Sequence, residues 1–451
     1  MPSPPPLAPA AAPPVTERLP TSQLVIYAFG QFGWSLTSFA VFNLLIYFYL
    51  PPEDGGARLF PTFIYTGTVL GIGTLVGLLG AGGRLFDAIT DPLIARWADR
   101  YQSSWGRRRG AMLIGAVPTA LLSVLVFLPP SGSIVLNGWW LAAGLLLFYF
   151  CFTVFFVPYT ALMAELGHDP RDRAKLSTAL ALAWAGGFLV GQGVYFFKDL
   201  LVPSFGQTVA FQIVVAGFAT LGLIGMLLPA LLLDENRYAR RLPGEESASL
   251  RQAWDYRPLR FLLLAELCYW VAITCITIGI AYYTVELFRL EEGLASLFML
   301  LSFVCSFLCY PLVLWAQRRF GKVRTTVFGY AWVAGILLAV GLVPRSEVLF
   351  YGLGVASGVS IAIFSLLPNI LLADFANAYQ DESETTAAGI FFAARSLAMK
   401  AGMSLAALLF PSLLLLNAYG EALGTRVTAL AAAGIAVLGL FFMSAVREPA
   451  A

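Results

Sequence analysis

Charge is scarce in this chain, and histidine scarcer still. Of 451 residues, 28 are Lys or Arg, 26 are Asp or Glu and one is His, a charged fraction of 12% where a soluble domain carries about twice as much. The net charge of +2 leaves no electrostatic footprint for nucleic acid, which is excluded as a partner. The single histidine, His168, cannot complete a metal site with the five cysteines: Cys151, Cys268, Cys275, Cys305 and Cys309 fall in apolar stretches without a Cys-x-x-Cys pair, and read as small apolar residues. There is also no constellation of nucleophile and base and no large soluble segment to hold one, so an enzyme is not expected.

What fills the chain instead is apolar: 59% hydrophobic and 14% aromatic residues, with a mean hydropathy of +0.78. Spans of about 20 apolar residues, enough to cross ~30 Å of hydrocarbon as a helix, recur about twelve times. Their centres fall near Ala40, Gly80, Ser123, Tyr149, Gly187, Gly222, Ile273, Phe303, Gly335, Ser360, Lys400 and Ala433. The fold class expected is an all-α membrane protein of twelve transmembrane helices in two six-helix bundles.

Arginine placement orients these spans. The connections after the second, fourth, sixth and eighth hold Arg100 with Arg107 to Arg109, Arg171 with Arg173 and Lys175, Arg237 with Arg240, Arg241 and Arg251, and Arg318, Arg319, Lys322 and Arg324. The other connections hold isolated cations such as Arg58, Lys198, Arg289 and Arg345. Positive charge favours the cytoplasm, so both termini are expected inside a plasma (inner) membrane. The domain plan is a disordered Pro/Ala-rich cytoplasmic tail over 1–20, a bundle over 21–233, a cytoplasmic linker over 234–257, a second bundle over 258–446 and a tail over 447–451. The halves echo one another: the run from Pro92 to Arg109 returns loosely from Pro311 to Arg324, and Pro158 with Glu165 returns as Pro368 with Asp374. Such a repeat implies a major-facilitator architecture, with a site near the midplane between bundles.

The second span carries a stripe that an apolar helix has no structural need for. Arg84, Asp87 and Asp91, at i, i+3 and i+7, share one helical face. Charge at membrane depth persists where it pairs or lines a hydrated path, which points to ion-coupled transport. With the helix ending near Asp99, Asp91 lies about 12 Å and Asp87 about 18 Å from the cytoplasmic end, on either side of mid-membrane. Pro92 lacks an N–H and frees the carbonyl of Ala88, and Thr90 adds a hydroxyl. Asp87, Asp91, Thr90 and the Ala88 carbonyl could together wrap a small hard cation. The alternative is a structural Arg84–Asp87 pair, which leaves the second carboxylate unexplained.

The segments Gly83-Arg-Leu-Phe-Asp-Ala-Ile-Thr-Asp-Pro-Leu, Trp105-Gly-Arg-Arg-Arg, Val157-Pro-Tyr, Ala373-Asp-Phe and Lys400-Ala-Gly together resemble the glycoside-pentoside-hexuronide cation symporters. That group includes the melibiose carriers and, more distantly, the sodium-dependent lysophospholipid symporters. The resemblance runs from about Phe29 to Gly420. It implies a secondary active, alternating-access symporter coupled to Na+ or H+, with no cofactor and no metal beyond the coupling cation. It implies that Asp87, Thr90 and Asp91 contribute to the cation site, and it sets Lys400, in the eleventh span, opposite the acidic stripe. There an ammonium either compensates the aspartates while the cation is absent or serves as a fixed bridge between halves.

Against the sugar carriers the chain departs where sugars are held. Their acidic and basic sugar ligands fall at Ser35, Phe156 and Leu180, so the pocket is expected to be more apolar than a disaccharide site. Its candidate lining is Gln31, Ser35, Phe156, Tyr159, Thr160, Gln192 and Asn369. Glu165 and Asp374, with Arg395, are candidates for a cytoplasmic gate, the alternative being solvated acids that balance basic loops. Glu266 is either a substrate or proton group or a locally paired one. The expected protein is a monomer in the bilayer that carries a small solute such as a glycoside, with a lysophospholipid or other amphiphile as the alternative.

Overall fold

The computed structural model describes residues 18–54, 57–69, 71, 73–101, 103–167, 170–239, 254–342, 346–383 and 388–448. His168, most of the amino-terminal tail, the centre of the 234–257 linker and the last residues of the carboxy-terminal tail lie outside these.

Away from water, backbone N–H and C=O groups must be satisfied within their own segment, and long runs of Leu, Ala, Phe and Gly therefore form helices. Among the described residues twelve long helices result: α1 Thr21–Tyr49, α2 Leu75–Arg100, α3 Arg107–Leu125, α4 Ile134–Leu166, α5 Pro170–Gln192, α6 Val194–Leu232, α7 Arg257–Leu287, α8 Leu294–Phe320, α9 Lys322–Leu342, α10 Glu347–Ser383, α11 Ala388–Leu414 and α12 Leu423–Ser444. Among the described residues, ten stretches are long and apolar enough to cross a membrane. One of them, Arg171–Leu232, holds both α5 and α6. Helix α2 is not among the ten, because its charges dilute its hydropathy. The chain is a multi-pass membrane protein.

Between α1 and α2 two short antiparallel ribbons replace helix. β1 Glu53–Asp54 pairs with β2 Ala57–Arg58, and β3 Thr68–Val69 with β4 Gly73–Thr74. This moves the second span later than the centre at Gly80 expected from hydropathy. The Gly71 turn, at φ 68°, allows the β3–β4 reversal, and the Thr74 hydroxyl then caps α2 by accepting from the Gly77 N–H at 3.3 Å.

Helices α1 to α6 pack as one bundle and α7 to α12 as the other. Within the first, α1 lies so close to α6 that a Cβ on Gly33 would stand 2.4 Å from the Met226 nitrogen; Gly187 and Gly191 do the same for α5 against α1. The bundles meet mainly along α2 and α11, with α8 against α5 and α6. Gly73 and Gly77 sit on Ser412, Leu408 and Pro411 of α11.

The repeat read in the sequence recurs as geometry. Gly106 and Gly321, at φ 105° and 91°, make the turns before α3 and α9. A glutamate that follows each bundle then caps the exposed amides: Glu235 accepts from Arg108 N and Arg109 N at 3.0 Å, and Glu448 accepts from Val323 N at 2.6 Å. A single π-helical turn interrupts α1, at Ala40–Leu44, and another closes α7, at Tyr283–Leu287.

Candidate functional site

Helix α2 presents its acidic stripe to two neighbours. On the α4 side Gly83 lets Tyr149 press against the backbone, where a Cβ would come within 2.2 Å of the ring. One turn further along α4, the Thr153 hydroxyl donates to Asp87 Oδ1 at 2.5 Å. On the α11 side Lys400 Nζ donates to Asp87 Oδ2 at 2.7 Å and to Asp91 Oδ2 at 2.5 Å. Asp87 is buried and Asp91 half-buried. The second oxygen of Asp91, Oδ1, is enclosed and has no hydrogen-bond partner. Thr90 is buried beside them and donates to the Phe86 or Asp87 carbonyl at 3.1 Å, which leaves its oxygen free to accept. α2 continues through Pro92, so the Ala88 carbonyl lacks its usual amide donor.

Arg84 departs from the pairing considered in the sequence. Its guanidinium donates to the Met403 carbonyl on α11 at 2.6 Å and to the Phe42 carbonyl on α1 at 2.8 Å, and lies over the Phe42 ring at 5.6 Å. The fork therefore ties three helices through backbone oxygens instead of neutralising Asp87. Asp87, Asp91 and Lys400 are left as a cluster with one net negative charge. That charge, with carboxylate, hydroxyl and carbonyl oxygens around it, suits a small monovalent cation or a proton.

The pocket candidates divide. Ser35 donates to the Trp184 carbonyl at 3.0 Å in the α1–α5 seam, and Tyr159 to the Tyr27 carbonyl at 2.8 Å beneath α4; both are buried. Gln192 is buried near the far end of α5 with neither amide atom partnered. The hydroxyls of Ser35 and Tyr159 are spent in helix packing, whereas the Gln192 amide is enclosed with no side-chain bond. Thr160 and Asn369 are exposed and Gln31 is half-buried. Phe156 is half-buried as well and forms, with Phe152 and Trp34, an aromatic wall with ring centres 5.0 to 5.8 Å apart. The Trp34 Nε1 in that wall is enclosed and unpartnered.

Glu266, fully buried on α7, accepts from Trp270 Nε1 and Arg395 Nε at 3.1 Å, and Arg395 Nη1 donates to Asn369 Oδ1 at 2.7 Å. Glu266 is thus locally paired, as the alternative reading had it. Glu165 binds Arg107 at 2.6 Å and Arg108 at 2.9 Å, and Asp374 binds Lys322 at 2.5 Å. In this conformation each of the three gate candidates, Glu165, Asp374 and Arg395, is bonded inside its own bundle. Every hydrogen bond that joins the bundles between described residues lies instead at mid-depth or toward the end opposite the arginine-rich loops.

Two features lay beyond sequence reading. Thr153 is a hydroxyl in an apolar helix, and its one signal is a turn's spacing from Tyr149. Lys198 reads as an isolated loop cation, yet it is fully buried.

Residues 27–446 match the family described as MFS/sugar transport protein. The inner membrane symporter YicJ of Escherichia coli is 26% identical over 81% of this chain and 79% of its own length. A glucuronide carrier protein homolog of the same organism is 27% identical over 62% and 64%, and the sodium-dependent lysophosphatidylcholine symporter 1 of Xenopus tropicalis 25% over 65% and 62%. The chain thus spans less than two thirds of the latter two relatives. In fold it is similar to the nucleoside transporter NupG, at a TM-score of 0.62 and 13% identity over 95% of this chain and all of that one.

Proposed function

The chain belongs to the MFS/sugar transport protein family as a cation-coupled symporter, and from that membership we propose how its residues couple ion to solute. The observation that carries the proposal is the Lys400 bridge to Asp87 and Asp91 across the two bundles. Lys400 and the coupling cation compete for the same carboxylate oxygens. With the cation absent, the ammonium holds α11 to α2 and compensates the buried charge. A cation held by Asp87, Asp91, the Thr90 oxygen and the Ala88 carbonyl releases the ammonium and loosens the seam on which the bundles rock. The cation is Na+ or H+, and the same carboxylates serve either.

The arginine-rich loops and both termini lie on the cytoplasmic side of an inner membrane in this reading. The described conformation is then inward-facing, with the bonds between the bundles among the described residues gathered at mid-depth and the outer end, and Glu165, Asp374 and Arg395 exchange their partners when the inner face closes. Residues 21–233 and 258–446 move as the two bodies of a monomer, joined by 234–257. No chemical step is required of the protein.

The solute is a small one such as a glycoside, held between Thr160 on one bundle and Asn369 on the other. The wall of Trp34, Phe152 and Phe156 favours substrates that carry an apolar moiety, since its one free polar atom is a single indole donor. That wall also supports a second reading, a lysophospholipid or similar amphiphile as substrate. Counterflow into proteoliposomes with free sugars, alkyl and aryl glycosides and lysolipids, each with and without sodium and proton gradients, tests both. Gradient-independent movement of every solute would overturn the coupled mechanism.

A further inference from the structure

At the end opposite the arginine-rich loops a second charged cluster joins the bundles, and nothing in the symport site accounts for it. Lys198, at the start of α6, donates to Glu292 Oε2, just before α8, at 2.5 Å and to the Tyr47 hydroxyl of α1 at 3.0 Å. The Tyr47 hydroxyl in turn donates to Glu292 Oε1. Lys198 and Tyr47 are wholly enclosed and Glu292 nearly so. The rings of Phe60 and Tyr47 stand 5.8 and 5.7 Å from the ammonium, and Tyr195 and Phe211 pack on Tyr47. Six residues before Glu292, Glu286 reaches in the same direction: its Oε1 accepts the Glu53 N–H of the first bundle at 3.1 Å, while Asn417 and Thr425 hold its other oxygen.

We infer that Lys198, Glu292 and Tyr47 form a dry ionic lock whose rupture admits the opposite, outward-open conformation. Two buried opposite charges on separate bundles are stable only while the bundles touch. Rocking them apart hydrates both at once, so the lock switches with the conformation and does not merely add rigidity. The lock has a ready fallback: Asp199, more than a third exposed, already stands 3.5 Å from the Lys198 nitrogen on the same bundle. Two of the helix ends beside the lock are irregular. Tyr47 follows the π-helical turn in α1, and Glu286 sits within its counterpart in α7; such turns break the regular ladder and let a helix end bend.

This inference rests on the alternating-access reading, but its test needs neither substrate nor coupling ion. Spin labels at Leu200 and Val348 report the outer separation, and labels at Trp105 and Phe320 the inner one, in a cysteine-free background. Glu292→Gln and Lys198→Met are each expected to add a longer outer distance and a shorter inner distance, with the outward population raised about tenfold or more. The exchange Lys198→Glu with Glu292→Lys should restore the parent distribution. Tyr47→Phe, which removes one hydroxyl from a packed ring, carries the test with a smaller shift if the charge variants fail to insert. Distributions that superimpose on the parent would overturn the lock, as would a longer outer distance with the inner one unchanged, which signals local loosening alone. Loss of counterflow with the distance response intact would instead count against the symport site.

Discussion

Asp91 grips Lys400 of the other bundle through one carboxylate oxygen at 2.5 Å and keeps its second oxygen enclosed without a partner. An orphaned acceptor in low dielectric costs free energy, and under the coupling proposed above this oxygen is the one that turns to the cation. The Asp91→Asn variant keeps the shape and loses the charge. Gradient-driven uptake should fall by about a hundredfold or more, on the ~3 kcal/mol scale of a lost charged interaction, because Lys400 and Asp87 then balance and no net negative charge remains for the cation, while substrate exchange without a gradient survives. Equal loss of both would mean that Asp91 is structural.

Lys400→Gln leaves Asp87 and Asp91 facing one another without compensation. The cation should bind more tightly in this variant than in the parent, and concentrative uptake should collapse because release is slowed. Cation-dependent protection of the protein from thermal aggregation, titrated with sodium and with choline as control, measures the first effect; a weaker cation dependence than the parent's contradicts the competition between ammonium and cation.

Arg84 carries a different expectation because it bonds carbonyls on α1 and α11. Arg84→Gln removes two charge-assisted bonds of about 1.5 to 3 kcal/mol each, so the melting temperature in detergent should drop by several degrees with cation affinity little changed. A stable variant with altered cation affinity would return Arg84 to the ion site.

Phe156→Asp introduces a carboxylate beside the unpartnered Trp34 Nε1 and one turn from Thr153. The advantage of an alkyl glycoside over its free sugar, which burial against the ring supports at ~25 cal/mol per Å², should shrink about tenfold. Competition for one labelled ligand in purified protein reads this directly, and an undiminished advantage would place the apolar contact elsewhere.

The orientation is tested by a cysteine at Ser103, in the turn between α2 and α3. An impermeant thiol reagent should modify it in inverted vesicles and leave it untouched in intact cells, since the adjacent Arg107 to Arg109 favour the cytoplasm.

Much of this was legible in the chain itself. Most of the membrane-spanning segments, the two-bundle division and the isolation of Asp87, Asp91 and Lys400 follow from lengths of hydrophobic run and from the cost of charge among them, both properties of single segments against a bilayer. The family motifs added the direction in which Lys400 faces. Helix α2 was located too early because the run around Gly73 is apolar enough to span, whereas glycine turns fold it into a ribbon.

Contacts between segments were decided by tertiary structure alone. Arg84 and Asp87 are one turn apart on one face, yet close approach of the Met403 and Phe42 carbonyls draws the guanidinium away from the carboxylate. Ser35 and Tyr159 have the right chemistry for a pocket, but the narrow glycine seams of α1 bring carbonyls within reach and consume their hydroxyls. Lys198 and Glu292 look like ordinary loop charges until the bundles meet over them. Hydrophobic length and charge cost act locally and can be read in one dimension; which donor meets which acceptor depends on how closely two backbones approach, and that is settled only when the helices pack.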